Sequence, residues 1–212
     1  MTKVKICGLT TPETVKTASE AGVDFLGFVF YPPSPRNISP QNAGALIKDV
    51  PEHVQSVGLF VDPTNVDIEQ TLKHAALDMI QLHGSETSER LHEIKEHFGL
   101  PLIKAIRVGS KSDLENIESF EPYVAWLLFD AKPERAELPG GTGHVFDWSL
   151  LDGLEIKTPW MLSGGLSLDN LDGAVSHLHP PGVDVSSGVE SAKGVKDSNK
   201  ITNFINIAKT SS

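Results

Sequence analysis

The feature that most constrains the fold is a short apolar segment that recurs along the whole chain. Eight such segments begin roughly 22 to 34 residues apart, which is the length of one β-strand followed by one α-helix. Nearly continuous apolar segments are typical of parallel strands that are buried on both faces. The eight predicted strands are residues 3–7, 25–30, 54–61, 79–84, 101–108, 125–131, 159–165 and 182–188.

Signals for helices lie between these segments. Thr11 and Pro12 place a capping residue before a proline in a first helical turn, and Gly22 ends that helix. Further helices are predicted to begin near residues 39, 62, 85, 110, 146, 167 and 197, and the sixth helix of the chain covers 146–154. Strict alternation of eight strands and eight helices predicts an α/β protein, a single (β/α)₈ TIM barrel over residues 1–212.

Composition and charge narrow the possible partners. The formal net charge of −10 argues against nucleic acid, because a phosphate backbone needs a basic surface. No apolar segment approaches the ~20 residues of a membrane span, and the N-terminus lacks the long apolar segment of a signal peptide. Cys7 is the only cysteine, so no intrachain disulfide can form. We therefore expect a cytoplasmic, monomeric protein that needs no cofactor.

Two turns rich in small residues indicate a phosphate site. They close the seventh and eighth predicted segments, and phosphate sites in (β/α)₈ barrels recur at the loops after strands 7 and 8. Small residues leave backbone N–H groups exposed, and we expect a helix after each turn to direct the positive end of its dipole at the anion. The predicted phosphate-binding residues are Ser163, Gly164, Gly165, Ser186, Ser187 and Gly188.

Two residues at the ends of predicted strands are candidates for catalysis. Cys7 is either an inert buried thiol or, once ionised, a base or nucleophile. Lys5 lies two residues earlier on the same side of the strand and would favour the thiolate. Asp130 is either a helix cap, a partner of a cation, or a catalytic acid or base. An apolar setting against neighbouring aromatic residues would let Asp130 keep a proton to donate.

Other residues are expected to line the same site. Arg36 lies in a proline-rich loop and is either an exposed loop arginine or a guanidinium held for a carboxylate, for which Arg107 is an alternative. A long loop at 132–145 is expected to close over the ligand. No spacing of histidine, aspartate and glutamate indicates a metal site. Residues expected to line the site are Lys5, Gln81, His83, Gly141 and Thr142.

Several motifs occur together and in order. KICGLT, SPRNIS, VGLFV, QLHG, FDA, GGTG, FDW, LSGGL, DVSSGVE and GVKD resemble the phosphoribosylanthranilate isomerase family of tryptophan biosynthesis. The resemblance covers Lys5 to Asp197, nearly the whole chain. Two departures are small, since Ser163 stands where many members have alanine and Leu9 where isoleucine is frequent.

The resemblance implies an aldose–ketose isomerase that works without metal or cofactor. Its reaction would be the Amadori rearrangement of N-(5-phosphoribosyl)anthranilate to the 1-deoxyribulose form. Cys7 would be the general base and Asp130 the general acid, with Arg36 facing the anthranilate carboxylate. Two alternatives stay open. One is an isomerase of the histidine-pathway aminoaldose on the same barrel, and the other is a phosphosugar-binding barrel without catalysis.

Overall fold

The computed structural model describes residues 1–132 and 147–211, and its centre is a closed barrel of eight parallel strands. Each strand pairs with the next in the chain, and the eighth pairs with the first. The predicted (β/α)₈ barrel is therefore confirmed. The strands are β1 (Lys3–Cys7), β2 (Phe25–Val29), β3 (Gln55–Phe60), β4 (Met79–Leu82), β5 (Leu102–Val108), β6 (Trp126–Ala131), β7 (Trp160–Leu162) and β8 (Gly182–Val185).

Seven α-helices surround the barrel in the part of the chain that the structure describes. Five of them begin after a Thr, Ser or Asp whose side chain accepts a hydrogen bond from a backbone N–H of the first turn. These caps fix where the helices start. The helices are α1 (Pro12–Glu20), α2 (Pro40–Ile47), α3 (Asn65–Leu72), α4 (Ser88–Phe98), α5 (Ile117–Phe120), α6 (Leu171–Leu178) and α7 (Ser198–Thr210).

The helices around β6 and β7 differ from the prediction. The helix expected over 146–154 is wrong for the residues described there, since only a 3₁₀ turn forms, at Trp148–Leu151. It stops because Asp152 has an extended backbone and Gly153 a positive φ of 73°. The helix expected from residue 110 is likewise reduced to a 3₁₀ turn, Lys111–Leu114, followed by the single turn of α5.

The barrel interior is filled in layers. A lower cluster packs one or two apolar side chains from each of several strands, among them Phe25, Val57, Met79 and Leu128. A smaller cluster of Cys7, Val29 and Leu59 lies at the carboxyl ends of β1, β2 and β3. A larger apolar cluster fills the space between strands and helices. The packed interior leaves the carboxyl ends of the strands as the place for a ligand.

The chain after β8 contains a small sheet that the sequence did not indicate. A 3₁₀ turn, Ser187–Val189, leads into two antiparallel strands, β9 (Glu190–Ala192) and β10 (Val195–Lys196), before α7 begins. Gly194 has a φ of 81°, which lets the chain reverse between the two strands. Within residues 1–132 and 147–211, none of the helices is both long and apolar enough to span a membrane.

Candidate active site

A cavity opens at the carboxyl ends of the barrel strands. Most of the predicted site residues line it, although they come from six of the eight strands or the loops that follow them. Gly141 and Thr142 lie outside the described residues. The predicted residues that line the cavity are Cys7, Arg36, Gln81, His83, Asp130, Ser163, Gly164, Gly165, Ser186 and Ser187.

Cys7 ends β1 and is buried at the cavity wall. Burial raises the pKa of its thiol above the usual value, and the Lys5 ammonium offsets that rise only in part. Lys5 therefore acts in the predicted direction, but burial has the larger effect. Gly27 of the neighbouring strand leaves room for the thiol, because a Cβ there would lie 2.9 Å from Cys7 Sγ. Burial therefore favours the neutral thiol over the thiolate.

Lys5 lies inside the barrel and has no exposed surface. Its Nζ donates to Asp184 Oδ1 at 2.7 Å, and Ser163 Oγ donates to Asp184 Oδ2 at 3.0 Å. Burial is the largest single influence and opposes the charge on Lys5, but Asp184 and Cys7 together outweigh it and raise the pKa of Lys5. Lys5 is thus a fixed cation close to Cys7. The Ser163 hydroxyl is directed at Asp184, so Ser163 would meet an anion through its backbone.

Asp130 is the penultimate residue of β6 and lies in a polar setting, not the aromatic one expected from its neighbours. Its Oδ2 lies 3.0 Å from His83 Nε2, and its Oδ1 accepts from the N–H of Ala131. Side chains alternate along a strand, so Phe129 faces the outer apolar layer while Asp130 faces the cavity. Trp126 packs against Phe25, at the other end of the barrel.

Arg36 is buried, so the reading as an exposed loop arginine is wrong. Its guanidinium forms a two-point ion pair with Glu190, from Nε to Oε1 at 2.7 Å and from Nη2 to Oε2 at 3.0 Å. Glu190 also binds the Lys196 ammonium at 2.8 Å. Burial opposes the charge on Glu190, but the two cations hold its pKa at about 2. Arg107, the alternative, instead donates from Nη2 to the carbonyl of His83.

The two small-residue turns have the backbone that the phosphate prediction needs. Gly164 and Gly165 both have positive φ, and a Cβ on Gly164 would lie 2.3 Å from the backbone nitrogen of Ala131. A Cβ on Gly188 would lie 1.9 Å from the carbonyl oxygen of Leu166. The turn after β8 therefore packs directly against the backbone that follows the turn after β7. Residues larger than glycine are disfavoured at these positions, because of the positive φ or the close backbone contact.

The expected helix dipoles behind the turns are only partly present. After β7, helix α6 begins at Leu171, because Asn170 Oδ1 accepts from the N–H of Ser167 and holds an intervening turn. After β8, the chain enters only a three-residue 3₁₀ turn. Positive charge comes instead from the buried Lys196, whose Nζ donates to the Ser186 carbonyl at 2.9 Å.

Three charged residues of the site were missed from the sequence: Asp184, Glu190 and Lys196. A usable signal existed for the first two, since each is an acid within the apolar and small residues of DVSSGVE. Lys196 belongs to the GVKD motif, where nothing in the sequence indicated burial. Among the residues that the structure describes, no three His, Cys, Asp or Glu side chains are grouped so as to hold a metal ion.

Comparisons with known proteins agree with this geometry. The family model for N-(5′-phosphoribosyl)anthranilate isomerase matches residues 4–207. The isomerase of Paramagnetospirillum magneticum is 47% identical over 208 residues, 98% of this chain and 97% of that protein. A phosphoribosyl anthranilate isomerase crystallised with reduced 1-(o-carboxyphenylamino)-1-deoxyribulose 5-phosphate superposes with a TM-score of 0.84 at 36% identity, over 99% of this chain and 100% of the other.

A second crystal structure concerns the oligomeric state of a relative. It shows monomers of the dimeric isomerase from Thermotoga maritima, with a TM-score of 0.84 at 36% identity over 99% of this chain and 100% of that one. The family model and the relatives span nearly the whole chain, with the barrel and its cavity included. The chain therefore belongs to the N-(5′-phosphoribosyl)anthranilate isomerase family.

Proposed function

We propose that this protein converts N-(5-phosphoribosyl)anthranilate to 1-(2-carboxyphenylamino)-1-deoxyribulose 5-phosphate in tryptophan biosynthesis, by general acid and base catalysis without a cofactor. The observation that carries the proposal is the placement of Cys7 and Asp130 in one cavity, with the two glycine-containing turns and Arg36 around them. The family supports the same reaction. This is an aldose–ketose isomerisation, in which the substrate's own atoms exchange oxidation state.

The two ends of the substrate would bind to different parts of the cavity. The phosphate lies at the turns after β7 and β8, where Gly164, Gly165 and Ser187 offer backbone groups and Lys196 supplies charge from beneath. The anthranilate carboxylate faces the Arg36 guanidinium, which Glu190 holds in place. The ribose then lies between strands β1 and β6, within reach of both reactive side chains.

The acid step opens the furanose ring. Asp130 gives its proton to the ring oxygen, the bond from that oxygen to C1′ breaks, and the nitrogen lone pair forms the C1′=N bond of a protonated Schiff base. Asp130 is left as a carboxylate. Placement of a proton donor at the leaving oxygen contributes about 10² to 10⁴-fold in rate.

The base step forms the new double bond. The Cys7 thiolate takes the proton from C2′, and the electron pair released forms C1′=C2′ while the nitrogen becomes neutral. The resulting enolamine tautomerises to the ketone with no net change in its protons. The enzyme then holds one proton too many on Cys7 and one too few on Asp130, so exchange with solvent restores both groups.

The raised pKa of Cys7 has a consequence for this step. Because burial favours the neutral thiol, kcat/KM should rise with pH as the thiolate forms. The Lys5 ammonium lowers the free energy needed to form that thiolate. Lys5 therefore supports catalysis through Cys7, as a positioning residue.

Complementation tests the proposed function. A strain that lacks the isomerase should grow without tryptophan when it carries this chain, and should fail to grow when it carries Cys7→Ser. Purified protein should consume the fluorescent substrate with the same difference between the two forms. Growth failure with the unaltered, folded protein would overturn the proposal, as would tight binding of a phosphosugar with zero turnover.

Arg36→Ala tests the orientation of the substrate. Removal of a charge-assisted hydrogen bond costs about 1.5–3 kcal/mol, or roughly tenfold to a hundredfold in binding. We expect KM to rise by that factor, with a smaller fall in kcat from looser positioning. Inhibition by anthranilate alone should weaken in parallel, while inhibition by inorganic phosphate should not. Equal weakening of both would place the carboxylate elsewhere.

We also propose that the protein is a cytoplasmic monomer. The exposed large apolar side chains among the described residues are Met1, Val66 and Val195, which lie far apart in the sequence. A single free cysteine suits a reducing compartment. Sedimentation equilibrium should give the mass of one chain, against the dimeric state of the Thermotoga maritima relative. Fractionation of cells should place the protein with cytoplasmic markers.

A further inference from the structure

We propose that Gln81 and His83 are positioning residues that store the proton which Asp130 delivers. The inference rests on the proposed role of Asp130 as the general acid. It concerns a chain of three buried polar side chains in the cavity wall, of which the mechanism above uses only the last. His83 and Asp130 would together bind either one or two exchangeable protons. Gln81 would form a hydrogen bond with His83 in both protonation states.

The chain of contacts runs across two strands. His83 Nε2 lies 3.0 Å from Asp130 Oδ2, and His83 Nδ1 lies 3.2 Å from Gln81 Nε2. Gln81 is fully buried, and His83 and Asp130 are each 4% exposed. Gln81 lies in β4 and His83 directly follows it, and both residues line the same cavity. Water has little access to the contacts, and proton exchange must pass along them or through the cavity.

The contacts in the structure correspond to one proton shared between the His83 imidazole and the Asp130 carboxyl group, which we call the pair. An amide nitrogen of Gln81 can only donate, so His83 Nδ1 accepts and the ring proton is on Nε2. That Nε2–H then donates to the Asp130 carboxylate. Asp130 has no proton to give in this condition.

A second proton changes what Nδ1 requires. When the pair holds two protons, Nδ1 carries a hydrogen and needs an acceptor. Gln81 Oε1 is buried, and no residue that the structure describes gives it a hydrogen-bond partner. A half-turn of the Gln81 amide places this oxygen against Nδ1–H. Gln81 therefore satisfies the histidine with one proton on the pair or with two.

The second proton is the one the reaction needs. A free aspartic acid is ionised at neutral pH, whereas an imidazole beside a carboxylate can hold its proton to about neutral pH. In the acid step the Nε2–H bond breaks as a proton passes to Asp130 Oδ2. The O–H bond so formed breaks as the substrate's ring oxygen takes the proton. His83 ends neutral and Asp130 ends as a carboxylate.

The charges around His83 act in both directions. The Arg107 guanidinium of β5 binds the His83 carbonyl, and Lys104 of β5 binds the Gly84 carbonyl, so both oppose a second proton. Glu86 pairs with Lys104 and weakens that opposition. Across the cavity, Cys7 of β1 and Asp184 of β8 favour a positive imidazole when they are ionised, and Arg36 of the loop after β2 opposes it.

The decisive variant is His83→Gln, whose amide can still donate to Asp130 but cannot bind a proton. We expect the basic limb of the kcat/KM profile to move to lower pH by about one unit or more, because Asp130 must then hold the proton alone. A purely structural role would lower kcat/KM equally at every pH. His92→Gln, at an exposed histidine of α4, is the matched control and should leave the profile in place.

A second measurement does not depend on turnover. Nitrogen-15 NMR of the folded, ligand-free protein should show the His83 ring with its proton on Nε2 at high pH and a second proton on Nδ1 as the pH falls. Asp130→Asn should move that change to lower pH, and Gln81→Leu should do so without loss of the fold. A His83 ring that takes no second proton between about pH 5 and 8 would overturn the inference. An inactive protein with the expected NMR behaviour would instead overturn the role of Asp130.

Discussion

The two halves of the cavity control their reactive groups by different means. On the β1 and β8 side, Cys7 lies beside a fixed ion pair, Lys5 with Asp184, that is buried and further held by Ser163. On the β4 and β6 side, Asp130 lies 3.0 Å from the imidazole of His83. One half uses a buried ion pair and the other uses a neighbouring imidazole.

This difference follows from what each half must do. The thiol must lose a proton in spite of burial, and a constant nearby cation lowers the cost of the thiolate at any pH. The carboxyl must start with a proton that an ordinary aspartic acid would have lost at neutral pH. A neighbouring histidine can supply that proton, whereas a fixed cation would remove it. A cation therefore lies beside the group that must lose a proton, and a possible proton donor lies beside the group that must deliver one.

The strongest test of the base half is Cys7→Ser. A serine hydroxyl is far less acidic than a thiol, so we expect kcat to fall by about 10² to 10⁴-fold with KM nearly unchanged. Steady-state assays on substrate fluorescence measure both constants. Retention of most of kcat would mean that the base lies outside the Lys5 side of the cavity.

Asp130→Asn tests the acid half and should have a slightly smaller effect. The amide keeps the shape and can still contact His83, but it cannot protonate the ring oxygen. We expect kcat to fall by about 10² to 10³-fold. A substrate with a better leaving oxygen would recover part of the rate only in this variant. If Cys7→Ser recovers equally, the two halves do not have separate roles.

Lys5→Met removes the fixed cation of the base half. The pKa of Cys7 should rise further, since burial is then offset by less positive charge. Alkylation of the thiol should require higher pH, and the acidic limb of kcat/KM should move upward by about one unit. The double variant Lys5→Met with Asp184→Asn avoids an unpaired buried carboxylate. An unchanged alkylation profile in the folded double variant would contradict the role given to Lys5.

Glu190→Gln sharpens the comparison at the edge of the site, where the expected effect is smallest. The pKa of Glu190 is about 2 in the folded protein and 4.5 for an ordinary glutamate. A lowered pKa contributes stability that is complete above pH 4.5 and is lost as the pH falls toward 2. We therefore expect the thermal midpoint of the variant to change less over that interval than the midpoint of the unaltered protein. Parallel curves would show that other carboxylates cause the acid sensitivity.

The sequence predicted the barrel and the location of its site for clear physical reasons. Eight apolar segments can form one closed parallel sheet, and the carboxyl ends of parallel strands meet at one rim. Cys7 and Asp130 lie at or next to the carboxyl ends of strands and the two turns follow strands, so their approach in space could be inferred from chain order. The sixth helix failed as a prediction because Asp152 and Gly153 stop it after one turn.

The partners of the site residues could not be inferred in the same way. Lys5 and Asp184 are 179 positions apart, and Arg36 and Glu190 are 154 apart. A pattern along the chain does not show which distant charges will pair. The same holds for the thiol of Cys7, where the outcome depends on how much burial outweighs a cation, a balance that only the packed structure sets.

The long separations in sequence also determine when during synthesis the protein becomes an enzyme. The contacts that hold Lys5 and Arg36 are made by β8 and by the first residue of β9, near the end of the chain. A nascent chain on the ribosome can form the earlier strands, but its Lys5 has no carboxylate and its Arg36 lacks Glu190 until those last segments emerge. Catalytic competence therefore requires both the closure of β8 against β1 and the arrival of Glu190 at Arg36.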